Sequence, residues 1–251
     1  MSVVAHCEDL YLADGGKINE GKVSKKLGVE GIPRAAEDCG TAREIALAAA
    51  LNVPIHICHV STETSVELVR DAKRRGVKVT AETAPHYFSL TEEELLKRDA
   101  DYRMNPPLRT AEDVRAIISG LCDGTLDAVA TDHAPHTVEE KADFEKAPNG
   151  SIGMETSLAV AVTYLVKTGL LSFEEIVRKM STNPAKILGI NAGTLSKGAP
   201  ADIALVDLDE EWTVDVEKLH GKSKNTPFKG KKLCGKVKKT FLGGKLVFED
   251  N

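Results

Sequence analysis

Apolar and polar positions along the chain fall into blocks that alternate between strand-like and helix-like spacing. The apolar run Ser2–His6 reads as a short buried strand, and the Gly- and Lys-rich stretch to about Ile32 as a long loop. Ala35–Leu51 has helical spacing, with alanines and Ile45 on one side, and closes before Asn52. Val53–Val60 is a second strand, Thr62–Arg75 an amphipathic helix stopped by Gly76, and Val77–Thr83 a third strand. Ser89–Arg98 carries a helix-start signal, with Thr91 as the N-cap and Glu94 three residues on. Ala111–Cys122 is a further helix and Leu126–Thr131 a fourth strand. Glu155–Lys167 and Phe173–Met180 read as helices, and Pro184–Leu188 starts one more.

From Gly193 the period changes to two. Asp202–Leu208, Glu211–Val214 and Val237–Val247 are short alternating strands, with turns at Gly198-Ala199-Pro200 and Gly243-Gly244. Four β/α units followed by a β-rich tail predict an α/β fold, a parallel sheet with helices packed outside it. The boundary falls between residues 1–192 and 193–251.

Composition narrows the function classes. Of 251 residues, 42% are hydrophobic and 28% charged, the balance of an ordinary globular chain. The net charge of −5 is spread along the sequence and argues against a nucleic-acid partner. The lysine-rich stretch Lys218–Lys239 reads as a solvated face, because its one aromatic residue, Phe228, makes no interleaved series for base stacking. Five scattered cysteines without a CxxC pair fit reduced thiols in a cytoplasm. No apolar run reaches the length of a membrane span and the start does not read as a signal peptide, so a membrane partner is not expected.

Parallel β/α sheets carry their chemistry at the C-terminal ends of strands. The first strand ends in Ala5-His6-Cys7-Glu8-Asp9, the second in His56-Ile57-Cys58-His59-Val60-Ser61, the fourth in Thr131-Asp132-His133-Ala134-Pro135-His136. Two histidines and an aspartate at matching strand ends suit a divalent metal of the zinc type, which acidifies bound water to a pKa of about 7. Strand alternation puts His59 with Ile57 on one face and His56 with Cys58 on the other, so His56 reads as core. His133 follows Asp132 directly and reads as supporting. The loop Arg103-Met104-Asn105-Pro106-Pro107-Leu108-Arg109 is stiffened by two prolines. It is either a plain strand-to-helix stop or a rigid presenter of Asn105, whose amide both donates and accepts.

These motifs, in this order and spacing, resemble those of the cyclic amidohydrolases, and among them the bacterial-type dihydroorotases. The likeness rests on Val4-Ala5-His6-Cys7-Glu8-Asp9, on His56 through Ser61, on Asn105-Pro106-Pro107-Leu108-Arg109 and on Asp132-His133-Ala134-Pro135-His136. It is extended by Gly153-Met154-Glu155-Thr156, Gly198 through Ala201-Asp202, and Asn225-Thr226-Pro227-Phe228. The Asn-Pro-Pro-Leu-Arg and Asp-His-Ala-Pro-His pair favours dihydroorotase over allantoinase or hydantoinase.

The resemblance implies a partial TIM (β/α)8 barrel, strands 5 to 8 with their helices, and part of a small C-terminal β-sandwich. It implies His6, His59 and Asp132 as ligands of a divalent metal, normally zinc, with Asp132 also the general acid/base. It implies Asn105 and His136 as substrate contacts, and the backbone around Asn149 and Gly150 as lining of the ring pocket. Asn149 departs from the pattern, since the family usually has an aromatic residue there. The family's first strand supplies a His-x-His pair and an Arg, and its fourth a bridging carboxylate or modified lysine. No His-x-His occurs here. The expectation is therefore a half-barrel, truncated or completed by another chain, that holds at most one of the two metals of the full binuclear site. The implied substrate is dihydroorotate or carbamoyl-aspartate. The implied protein partners are a second copy of the chain or an aspartate carbamoyltransferase, the latter for a non-catalytic supporting subunit.

Overall fold

Burial on both faces is what makes the central strands. In the computed structural model, which describes residues 3–250, every residue of β4 (Ile55–Ile57) is buried, as expected where helices cover a parallel sheet. β4 pairs in parallel with β1 (Val3–Ala5) on one side and with β5 (Val79–Thr83) on the other, and β5 pairs with β6 (Ala128–Val129). The resulting sheet has the order β1-β4-β5-β6. Val3 and Val4 in the edge strand β1 are each 55% exposed.

The chain forms two compact units: Met1–Met154 with Val216–Pro227, and Glu155–Asp215 with Phe228–Asn251. In the first unit the long helices are α3 (Arg34–Leu51), α4 (Glu63–Arg74) and α6 (Ala111–Cys122). α4 starts where the Thr62 hydroxyl accepts the Ser65 N–H, and packs beside both α3 and α6. Gly120 makes the second contact possible, because a Cβ there would sit 3.0 Å from Val66 Cγ1. Val69, Ile117, Leu121 and Leu126 are fully buried in this layer. Each such side chain stabilises the fold by about 1.5–3 kcal/mol. α6 begins in a capping box between Thr110 and Asp113, and its bounds match the sequence expectation.

Elsewhere the elements differ from expectation. The predicted strands shorten to the few residues that are laddered. Ser2, placed in the first of them, lies outside the described residues. The expected loop before Ile32 instead folds as α1 (Leu10–Ala13), β2 (Ile18–Asn19), α2 (Lys22–Leu27) and β3 (Gly31–Ile32). β2 and β3 pair in parallel, elements too short for periodicity to register. α5 (Pro85–Ser89) was also not anticipated. Residues Glu92–Lys97 form a 3-10 turn, and Thr91 at its start makes no side-chain capping bond.

In the second unit α7 (Ser157–Ala161) widens into a π-turn over Val162–Val166. There the Thr163 hydroxyl donates to the Ala159 carbonyl and accepts the Cys234 N–H. α8 (Phe173–Val177) runs through a π-turn, Arg178–Thr182, into α9 (Asn183–Leu188) without the expected break. Pro184, which has no N–H to donate, falls inside this continuous run just after the π-turn that widens it. The two predicted strands around Asp207 are one, β7 (Ile203–Thr213), with its pairing shifted between Asp207 and Glu211. β8 (Lys232–Leu242) pairs antiparallel with β7 and, through the Gly243-Gly244 turn, with β9 (Lys245–Glu249). Among the described residues no helix is long and apolar enough to cross a membrane. All five cysteines are free thiols.

Candidate active site

The C-terminal ends of β1, β4, β5 and β6 deliver the chemistry. After β1 the chain turns at His6 and Cys7, and Asp9 caps α1 by accepting the N–H groups of Tyr11 and Leu12. Gly40 of α3 lies against this turn, since a Cβ on it would stand 2.8 Å from the Cys7 carbonyl carbon. β4 ends at Ile57, and His59 adopts a left-handed backbone with φ +36°. It therefore reaches the site through a turn, not by strand alternation. Nδ1 of His6 and Nε2 of His59 face each other at 2.9 Å, with the rings edge to face. His59 Nδ1 is buried without a hydrogen-bond partner.

Asp132 follows β6 in a left-handed conformation, φ +49°. Burial holds its carboxyl above the ordinary range, opposed by His59 and reinforced by Glu82. Burial lowers the His59 imidazole, and Asp132 opposes that shift. His6 also bears electrostatically on Asp132, so the three predicted ligands share one neighbourhood. Among the described residues, however, no three His, Cys, Asp or Glu side chains are gathered closely enough to hold a metal ion. The His6–His59 pair nevertheless fits one. With Zn–N bonds of about 2.0–2.1 Å, two nitrogens on a tetrahedral ion lie about 3.3 Å apart, so 2.9 Å requires only a small opening.

His56 is buried, within 2.8 Å of the Thr80 hydroxyl and 3.2 Å from the Glu82 carboxylate. His133 Nδ1 accepts the Gly153 N–H, a supporting contact. Asn105 has its amide oxygen buried without a partner. It borders an open recess of about 180 Å³ that is also lined by Cys7, Glu8, Glu37, Pro106 and Arg109. His136, Asn149 and Gly150 come together separately, with His136 Nε2 3.0 Å from the Asn149 carbonyl. Gly150 has φ +125°, and a Cβ there would fall 2.5 Å from Ala134 Cβ, so only glycine closes this loop contact.

Two neighbours of Asp132 escaped the sequence reading. Glu82 is the last but one residue of β5 and His86 the second of α5, in Ala81-Glu82-Thr83-Ala84-Pro85-His86. Their position at a strand end was the available signal. His86 Nε2 is buried, has no hydrogen-bond partner, and lies 3.8 Å from Asp132 Oδ2. Burial drives its pKa from 6.5 down to about 3, with His59 adding to the shift. The unfolded chain thus binds this proton more readily than the folded one. The stability contributed by the neutral ring is full above about pH 6.5 and is lost as pH falls toward about 3. Urea midpoints should drop across that window, and less steeply in His86→Gln. Equal slopes for the two proteins would refute the assignment.

The profile of the amidohydrolase family matches residues 1–247. The chain belongs to the amidohydrolase family. Within this family it is 55% identical to the dihydroorotase of Acetivibrio thermocellus over 251 residues, all of this chain and 59% of the relative. It is 53% identical to that of Geobacter metallireducens over 248 residues, 98% of this chain and 58% of the relative. Among solved amidohydrolase structures, dihydropyrimidinase from Brevibacillus agri superposes with a TM-score of 0.88 at 30% identity, covering 98% of this chain and 56% of that one. L-Hydantoinase from Arthrobacter aurescens gives 0.89 at 30% identity, covering 99% and 57%. The chain thus spans less than two thirds of each relative's length.

Proposed function

We propose that this chain carries part of the active site of a metal-dependent dihydroorotase, which opens and closes the cyclic amide of dihydroorotate. The observation that carries the reading is the 2.9 Å approach of His6 Nδ1 and His59 Nε2 beside the buried Asp132 carboxyl. On this reading residues 1–192 are the fifth-to-eighth-strand half of a (β/α)8 barrel, and 193–251 belong to a small β-sandwich.

His6 and His59 would hold a divalent ion, with Asp132 as a third ligand. When bound, a zinc ion supplies acidified water and polarises the carbonyl under attack. Asp132 takes the proton of the attacking water and returns it to the ring nitrogen as the C–N bond breaks. His136 binds the ring carboxylate, and Asn105, with its free amide oxygen, pairs with a ring N–H. The backbone at Asn149 and Gly150 lines the ring plane.

A direct test completes the chain at its N-terminus with the segment of the Acetivibrio thermocellus dihydroorotase that it does not cover. This protein, with zinc, should open dihydroorotate, whereas the 251-residue chain with zinc should turn over weakly or not at all. The hydantoinase and dihydropyrimidinase neighbours supply the rival substrates. A completed, folded protein that opens hydantoin or dihydrouracil but ignores dihydroorotate would reverse the assignment.

A further inference from the structure

Asn225 lies far in sequence from the site residues yet belongs to the same compact unit. It is 4% exposed and fully engaged. Its amide nitrogen donates to the carbonyls of Ala134 and Gly150, each at 3.1 Å. Its amide oxygen accepts the His136 N–H at 3.1 Å, and its own carbonyl accepts the Ile152 N–H at 2.9 Å. One side chain therefore bridges the loop that ends in His136 and the loop that carries Asn149 and Gly150. Only a short planar amide offers two donors and an acceptor in this arrangement: aspartate lacks the donors and leucine lacks all three.

The loops hold each other at further points. Ala134 N–H donates to the Ser151 carbonyl, and Gly150 N–H donates to the Arg103 carbonyl. Lys141 Nζ donates to the Pro148 and Gly150 carbonyls at 2.9 and 3.0 Å. The Ala134–Ser151 bond also joins the two loops, and among the described residues the Asn225 amide reaches Ala134, His136 and Gly150 together. The placing of His136 beside the Asn149–Gly150 backbone, with its Nε2 3.0 Å from the Asn149 carbonyl, is thus supported from outside both loops.

We propose that Asn225 is a positioning residue, a clamp that fixes His136 against the Asn149–Gly150 backbone so that the two together present one face to a flat, carboxylate-bearing ring. The ligand part of this proposal rests on the dihydroorotase reading, while the clamp itself does not. Two variants separate the parts. Asn225→Asp keeps the acceptor for His136 N–H and removes both donors. Asn225→Ala removes all three side-chain bonds and leaves the backbone bond from Ile152.

Amide exchange in the 251-residue chain and in the completed protein reads the clamp. His136 N–H should exchange about tenfold faster in Asn225→Ala, with Ile152 N–H unchanged, and should stay protected in Asn225→Asp. Uniform acceleration across the unit would mean a merely structural role and would overturn the clamp. For the ligand, KM for dihydroorotate in the completed Asn225→Asp protein should rise about tenfold while kcat stays within about threefold. An unchanged KM, or a fall in kcat alone, overturns the positioning role. If the completed wild-type protein ignores dihydroorotate, the substrate reading fails, and the exchange pattern still decides the clamp.

Discussion

Replacing Arg109 by methionine is expected to lower the unfolding free energy by about 3–5 kcal/mol, the range for stripping one partner from a buried ion pair. Arg109 is 2% exposed. Its guanidinium donates to Ser61 Oγ at 3.0 Å, to Asn19 Oδ1 at 2.7 Å and to Glu37 Oε2 at 3.3 Å. Glu37 is 4% exposed and accepts the N–H groups of Ser61 and Thr62, so it closes the start of α4 as well. Without the guanidinium a carboxylate stays buried with hydrogen bonds but no countercharge. The double variant Arg109→Met with Glu37→Gln removes both charges and should be more stable than Arg109→Met alone. Urea denaturation of the three proteins reads this directly. A cost below about 1 kcal/mol for the single change would remove Arg109 from its structural role. The arginine of Asn-Pro-Pro-Leu-Arg thus holds the loop that presents Asn105 and is itself closed off from solvent.

The same network shows how far a linear reading reaches. Helix α6 was legible to the residue, because its capping box and its apolar spacing both lie within the segment. The strand-end histidines were legible because parallel sheets place such groups at one end. Arg109 and Glu37 are 72 positions apart, and nothing local to either names the other. The same holds for Asn225, whose three side-chain partners lie 75 to 91 residues upstream. His86 was missed for a different reason. A histidine after Ala-Pro looks like loop punctuation until its Nε2 is found buried near a carboxylate. For His59 strand alternation does not apply, since β4 stops two residues earlier and the left-handed turn sets the ring against His6.

Asp132→Asn in the completed protein should cut dihydroorotate opening by about 10²–10⁴-fold, the usual worth of a positioned acid/base. Asparagine is the cleaner replacement. It keeps the shape of the carboxylate, and it tolerates the left-handed backbone at φ +49° better than alanine does. Little stability should be lost, because burial already disfavours the charged carboxyl and outweighs the attraction of His59 and His6. The wild-type pH profile carries the same signature. Asp132 must be ionised to take the water proton, so kcat should fall on the acid side as this carboxylate is protonated. That limb should vanish with the residual activity of Asp132→Asn. If the variant retained near-normal turnover with its fold intact, proton transfer would belong to another group. Glu82, next to Asp132 and His56 and within reach of neither His6 nor His59 by hydrogen bond, would then be the carboxylate to replace next.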